Sequence, residues 1–465
     1  MEKTEEKIQE MEERKIVVGI DVGTTKIAVF IGEKIGEKED GSDEIKIIGM
    51  GKTQSIGVER GIVKNIKDTV NSIKIAVEQA EKQADYKVKE AFVGIAGHHI
   101  KNQQHRGSMV IKDDNHIITA DDIKKLIDEQ YNISIPHGDQ IIDIVPQNYS
   151  IDNEENIMDP VGRIGKCVEC NFNLITGEVN NIENLYRCVE LAGYKVKNLI
   201  LEPIASAEAV VNDVDKNEGV CLVDIGGGTT DMAIFHEGIL RHTYVIPLAG
   251  NVITNDIKEG CTIIHTQAEA LKIRFGDCVS TPNQEDEVIT VPGLRGRDPK
   301  EISMATLTDI IKARVNMILD QVIFEIKTEE FEKKLIGGIV LTGGGAMIKH
   351  IAQLTEFKTG IATRIGAPEE HLTGDIIDEF KHPMHATGIG LVIKGFQYMK
   401  EEERMKAKDK KASNKPNNND NKGKEEHNET PKNPKDIGKV KPKKKGGLGD
   451  VVNKFFNNII SDTMD

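Results

Sequence analysis

KIVVGIDVGTTKIAVFIGE, residues 15–33, is an apolar run of β-forming residues, the turn Asp21-x-Gly23-Thr24-Thr25 with Lys26 behind it, and a second apolar run. It reads as a strand, a tight turn and a strand. The chain repeats the pattern at residues 219–238 as GVCLVDIGGGTTDMAIFHEG, where Asp224 precedes Gly226, Gly227, Gly228, Thr229 and Thr230. Two copies roughly 200 residues apart are spaced too widely for a solenoid and predict two similar domains facing each other.

The chemistry of such a hairpin suits phosphate. Glycines let the backbone approach an anion, exposed N–H groups and hydroxyls donate to its oxygens, and an aspartate at the strand end can hold a hydrated Mg²⁺. Lys26 adds a point charge. A single glycine-rich turn is a common structural device, whereas two in matching context carry more weight. A third stretch, GGIVLTGGGAMIKHI at 337–351, reads as a buried strand, a glycine turn and a helix start. Gly343, Gly344, Gly345 and Met347 are its candidate contacts to a flat ring or a phosphate, and a purely structural turn is the plain alternative.

The 465 residues suggest about three domains, and 38% hydrophobic content without tryptophan allows ordinary cores. A formal net charge of −15, from 61 basic and 76 acidic side chains, argues against general nucleic-acid binding. The charged opening MEKTEEKIQEMEERK is no secretory signal, and no apolar run reaches the roughly 18–20 residues that span a bilayer. A cytoplasmic protein is expected, and six cysteines fit a reduced compartment. Cys167 and Cys170 lie in strand-like KCVECNFNL and so face opposite ways, and they have no second pair. His98, His99, His105, His382 and His385 lack ligand-spaced partners, so no metal role is expected for either set.

Residues 401–446 are rich in Lys, Asn, Glu and Pro, with 15 basic and 9 acidic side chains, a local charge of +6. They read as a flexible tether, with a reach of roughly 35–40 Å by random-coil scaling. Beyond them, Leu448, Val451, Val452, Phe455, Phe456, Ile459 and Ile460 form one apolar stripe of a helix over 447–465. Docking on its own domain is the plain alternative for that helix. A helix on so long a tether points to a separate target.

The ordered motifs resemble the actin-like ATPase superfamily of actin, MreB, the heat-shock chaperone ATPases and the sugar kinases. Within it, the chain from about Lys15 to Ile393, and again at the terminal helix, is similar to the FtsA family of bacterial cell-division proteins. The resemblance implies an α/β, actin-like ATPase fold: two duplicated ribonuclease-H-like domains around a nucleotide cleft, with an inserted 1C subdomain. It implies ATP and Mg²⁺ as cofactors. Asp21, Gly23, Thr24, Thr25 and Lys26 match the first phosphate motif and Asp224 with Gly226 to Thr230 the second, the two aspartates holding Mg²⁺ through water. LEPIASAEAV (201–210) matches the first connecting helix, where Glu202 would place the attacking water and small residues would permit close packing. AEALKIRFG (268–276) matches the adenosine-facing helix, with Glu269 and Lys272 as contacts. Read alone, those two are an i, i+3 surface ion pair. ATGIGLV (386–392) matches the second connecting helix.

The stretches KEAFVGIAGHHIKNQQHRGSMVI, HIITADDIKKLID, QIIDIVPQNYSID and DPVGRIGKCVECNFNLITG resemble the family's 1C subdomain, placed at 86–165. The expected layout is a charged extension at 1–14, a first half at 15–85 and 166–218, and a second half at 219–399 whose smaller subdomain covers about 250–335. A basic linker at 400–446 and a membrane-targeting helix at 447–465 complete it. Arg297 and Arg314 match positions that bind the acidic C-terminal peptide of FtsZ, although the family's Glu-Pro-Arg is Lys312-Ala313-Arg314 here. The terminal helix is less basic than expected, with Lys454 against Asp450, Asp462 and Asp465. The implied function is a protein with at most slow ATPase activity that polymerises with itself and anchors FtsZ to anionic lipid of the cytoplasmic membrane at the septum. It would recruit other division proteins there. A sugar or acetate kinase, or a pilus-assembly ATPase, is the alternative.

Overall fold

The computed structural model describes residues 14–38, 41–280, 287–293, 298–368, 372 and 378–413. The first repeat forms the centre of a sheet. β1 (Ile16–Val22), β2 (Lys26–Glu37) and β3 (Asp43–Gln54) make an antiparallel meander, followed by a small hairpin of β4 (Val58–Glu59) and β5 (Ile62–Val63). Helix α1 (Ile66–Ala84) opens on the Asn65 side chain, which accepts the Asp68 N–H, and buries Val70, Ile73, Ala76, Val77 and Ala80 along one face. β6 (Glu90–Ile95) then returns parallel to β1.

An inserted unit follows: β7 (Lys101–Val110), α2 (Ala120–Gln130), β8 (Asp139–Ile151), β9 (Glu154–Ile157) and β10 (Cys167–Glu178), with strand order β7-β10-β8-β9. After α3 (Val179–Ala192), β11 (Lys195–Leu201) completes the first sheet in the order β11-β6-β1-β2-β3. The boundaries expected for the insertion, 86–165, are corrected at both ends. β6 belongs to the first sheet because it pairs with β1 and β11, and β10 belongs to the insertion because it pairs with β7 and β8.

Helices α4 (Glu202–Val210) and α5 (Asp213–Glu218) lead to the second repeat, β12 (Val220–Ile225) and β13 (Thr230–His236), with β14 (Ile239–Ile246) beside it. Next come α6 (Gly250–Gly260), α7 (His265–Phe275), the hairpin of β15 (Val288–Val291) and β16 (Lys300–Ser303), and α8 (Met304–Thr328). β17 (Gly338–Thr342), α9 (Ile351–Thr359), β18 (Thr363–Ile365) and α10 (Ala386–Ser413) close the described chain. The second sheet runs β14-β13-β12-β17-β18, which is the first sheet's arrangement again: a meander, then two strands parallel to its first. This duplicated pair of ribonuclease-H-like halves is the actin-like fold.

β12 is buried along its whole length and splits its side chains between two cores by the two-residue period of a strand. Val220 and Leu222 join the core of the first half, while Cys221, Val223 and Ile225 join that of the second. The halves also meet where α4 crosses α10. A Cβ on Gly390 would lie 1.7 Å from the carbonyl oxygen of Ala205, so only glycine lets the two backbones come this close. The insertion reaches the second half through polar contacts. Asn102 accepts from the Thr243 hydroxyl at 3.1 Å, Gln147 donates to the Leu240 carbonyl at 3.0 Å, and Arg241 donates to Asn148 at 2.7 Å.

Residues 447–465, with Leu448, Val451, Val452, Phe455, Phe456, Ile459 and Ile460, lie outside the described residues, as do Arg297 and 414–446 of the tether expected from 400; its first residues, 400–413, are instead the end of α10. Among the described residues no helix is long and apolar enough to cross a membrane.

Candidate nucleotide cleft

The two hairpins face each other across the gap between the halves. In each, four residues separate the last paired positions: Val22 pairs with Ile27, and Ile225 with Thr230. Thr24 and Thr25 therefore correspond to Gly227 and Gly228, not to the second Thr-Thr. These four residues also touch. A Cβ on Gly227 would lie 1.6 Å from Thr25 Oγ1, and one on Gly228 would lie 2.3 Å from Thr24 Oγ1. The missing side chains let the turns approach.

Behind the turns lies a cleft of about 680 Å³, a size usual for a small-molecule site. Asp21, Gly23, Thr24, Thr25 and Lys26 line it from the first half, and Asp224, Gly226, Gly227, Gly228 and Thr229 from the second. Glu202, Glu269, Lys272, Gly343, Gly344, Gly345 and Met347 line the rest. Thr230 is the exception. It is fully buried, and its hydroxyl donates to the Leu248 carbonyl at 2.8 Å, because strand alternation turns it away from the cleft.

The floor is acidic, and its buried carboxylates repel one another. Asp21 is 5% exposed and holds Lys26 at 3.1 Å. Asp224 accepts from the Ser206 hydroxyl of α4 at 2.7 Å and from the Thr387 hydroxyl of α10 at 3.2 Å. Both connecting helices thus grip one catalytic-site candidate. Directly across the ladder from Asp224 stands Asp231, 4% exposed, which the sequence reading passed over. It accepts from Thr229 at 3.0 Å through one oxygen, and its other oxygen, Oδ1, is buried without a partner. Burial first, and then the neighbouring Asp224, push its pKa up to about 8. Burial and the Asp21, Asp231 and Asp224 carboxylates drive Glu202 well above its usual range, with Lys26 opposing.

A raised carboxyl pKa favours the folded state fully below the unfolded value near 4, and that advantage is lost as pH climbs toward the folded value. Asp231→Asn removes the loss. The variant should be more stable than the parent without ligand, by about 1–3 kcal/mol at pH 8, with the gap closing near pH 4. Urea unfolding at both pH values checks this; a gap independent of pH would rule it out.

At the far end, Glu269 and Lys272 of α7 are 2.8 Å apart, and Lys272 also donates to the Gly250 carbonyl at 3.1 Å and to Thr254 at 2.8 Å. They are tied to the start of α6 and are more than a surface pair. Ile273 and Met347, 73% and 44% exposed, offer apolar walls. The triple-glycine turn departs from the expected helix start. A single 3₁₀ turn, Gly345–Met347, follows it, and α9 begins only at Ile351. Gly343 has φ +85°, and a Cβ there would lie 2.2 Å from Asp224 Oδ1.

Asn251 and Lys52 also line the cleft and carried no motif signal, and Thr387 joins them from the stretch matched to the second connecting helix. Asp231 did carry one, since strand pairing across an equal-length turn sets it opposite Asp224. Among the described residues no group of three His, Cys, Asp or Glu is placed to ligate a metal directly. The repelling carboxylates and the orphan oxygen of Asp231 nevertheless fit a cation held through water. Arg314 makes a bidentate pair with Asp256 of α6, at 2.5 and 2.9 Å.

Comparison with known proteins agrees with this geometry. The family model described as "Cell division protein FtsA" matches residues 221–390, and that described as "SHS2 domain inserted in FTSA" matches 97–176. Cell division protein FtsA of Pseudomonas aeruginosa is 35% identical over 82% of this chain and 90% of its own length. The Escherichia coli K12 protein is 34% identical over 82% and 91%, and that of Bacillus subtilis 32% over 82% and 84%. A solved PilM–PilN type IV pilus biogenesis complex shares the fold, with a TM-score of 0.61 at 12% identity over 82% of this chain and 98% of that one. With relatives this similar along most of its length and theirs, and with the family's inserted domain in place, the chain belongs to the FtsA family of cell-division proteins.

Proposed function

We propose that the cleft binds ATP with Mg²⁺, that binding closes the halves and favours head-to-tail filaments, and that the filaments anchor FtsZ to the cytoplasmic membrane at the septum. Other division proteins would gather on that assembly. One observation carries the reading: three glycine motifs, spread from residue 23 to residue 345 in the sequence, line one cleft with four carboxylates at its floor. Family membership sets the sugar-kinase and pilus-ATPase alternatives aside.

In this reading the turn amides and the hydroxyls of Thr24 and Thr25 take the phosphates, and Ile273 and Met347 flank the base. Asp21 and Asp224 hold Mg²⁺ through water. The cation, when bound, neutralises phosphate charge. Glu202 places the attacking water, and turnover is slow at most. For FtsZ, Arg314 and Arg297 would meet the acidic peptide, and because Arg314 is already paired, that peptide must share or displace Asp256.

The stripe from Leu448 to Ile460 would insert part-way into the lipid interface, aided by Lys441 and Lys443 to Lys445 at about 1 kcal/mol each near an anionic leaflet. One such helix binds weakly, and a filament multiplies it. Co-sedimentation with anionic liposomes tests this. The full chain should pellet, more so with Mg-ATP, and a chain ended at Gly446 should stay in the supernatant. Equal pelleting of both would sink the anchor reading.

A further inference from the structure

The adenosine end of the cleft has two walls on separate elements. Ile273 stands on α7, and Met347 stands on the turn that follows β17. At its start that turn packs on β12 through Gly343 and Gly345, and the Gly343 N–H donates to the Pro383 carbonyl at 3.2 Å, whereas a Cβ on Gly344 would meet nothing within 4 Å. Beyond Met347 its position is set from behind. The Lys349 N–H donates to the Gly276 carbonyl at 3.2 Å, and the Cys278 N–H donates to the Lys349 carbonyl at 2.9 Å. Gly276 in turn donates to Lys272, closing α7.

These two backbone bonds lie on either side of one residue, Lys349, and a single bridge of this kind leaves a pivot. A third tie stands beside it. His350 Nδ1 lies 2.8 Å from Asp277 Oδ1, and that carboxylate, 6% exposed, also accepts the Val279 N–H at 2.9 Å. His350 adopts φ 57°, ψ 17°, a left-handed conformation that a histidine takes only at a cost. It occupies the N-cap position of α9 and makes no side-chain cap bond there. Its side chain is committed to Asp277.

We propose that Asp277 and His350 are positioning residues for base recognition: by locking the bridge against rotation they set the spacing of Ile273 and Met347, and so the fit of a purine ring between them. The inference rests on the nucleotide reading above. Its physical basis is the steepness of dispersion contacts, in which a gap of about 0.5–1 Å already forfeits a quarter to a half of each contact. Neither residue touches the ligand, and neither bears on the phosphates.

The test uses the full chain with a fluorescent ATP analogue and Mg²⁺, displaced by ATP, GTP or inorganic tripolyphosphate. His350→Gly keeps the left-handed backbone and removes the tie. It should weaken ATP and GTP alike, each about tenfold, while tripolyphosphate affinity stays within about twofold. His350→Asn tolerates the same backbone, keeps a donor and should restore both values. Unchanged ATP affinity in His350→Gly would overturn the proposal, as would an equal loss for tripolyphosphate, which would signal general loosening. A parent protein that binds none of the three would instead overturn the nucleotide reading, and this inference with it.

Discussion

Valine in place of Gly227 is expected to leave a folded protein that no longer retains nucleotide. The backbone at Gly227 is one any residue can adopt, so the hairpin should form, and besides Thr25 the neighbour nearest a Cβ there is Asn251 Oδ1 at 3.6 Å. The obstacle lies wholly across the cleft, where that Cβ would sit 2.9 Å from the Thr25 Cβ as well as 1.6 Å from its hydroxyl. Rotating Thr25 cannot remove the carbon–carbon clash, so the halves must part. Displacements of about 1 Å from a productive geometry can cost a hundredfold, and ATP affinity should fall by about that factor while the thermal midpoint stays close to the parent's. Thr25→Gly added to Gly227→Val reopens the space and should recover part of the affinity, which a double-mutant cycle would register. Affinity within twofold of the parent in Gly227→Val would show that the turns need not meet.

Glu202→Gln should separate stability from turnover. Withdrawal from water and three nearby aspartates hold Glu202 well above the usual carboxylate range, so folding without ligand favours its protonated form. The unfolded chain would release that proton above about pH 4.3. The advantage of folding with the proton on is thus complete below that pH and shrinks as pH rises toward the folded value. Glutamine escapes the loss, and the variant should gain about 1–3 kcal/mol over the parent at pH 7. With Mg-ATP bound, a cation that offsets the aspartates would leave Glu202 able to accept a proton from water, which a neutral amide cannot do, so phosphate release should fall about 10²–10⁴-fold with ATP affinity nearly unchanged. Turnover at the parent rate would remove Glu202 from the chemistry, and destabilisation at pH 7 would contradict the picture of a crowded acidic floor.

The parts of the site legible in the sequence were those written locally. A turn such as Asp21-x-Gly23-Thr24-Thr25 needs its glycine and its aspartate a fixed distance apart, so the pattern survives without knowledge of the rest of the chain. What pairs over distance was harder to read. The letters of β10 resemble the inserted subdomain, but the strand alternates like any other, and nothing in Cys167–Glu178 marks the insertion's end at 178 rather than at 165. The Thr-Thr pairs of the two hairpins stand two residues out of register, so the likeness of their letters does not show that Asp231 faces Asp224 or that Thr230 turns away from the cleft. Arg314 shows no acidic partner in the sequence around it, because Asp256 lies 58 positions earlier.

The unequal turns have a meaning beyond the fit of a ligand. Thr24 meets Gly228 and Thr25 meets Gly227, and these two contacts exchange under the approximate two-fold that relates the halves. Two identical copies of either hairpin, facing each other as a homodimer, could not make this joint. Threonine on both sides would collide, and glycine on both sides would leave a hole. A knob on one side and a socket on the other require the two copies to differ, and a substitution in a homodimer always appears twice. Joining the copies in one chain frees each to change alone, and the same freedom lets Asp231 stand where its counterpart is Ala28. The asymmetry at the centre of the cleft is thus a property that two identical chains cannot hold.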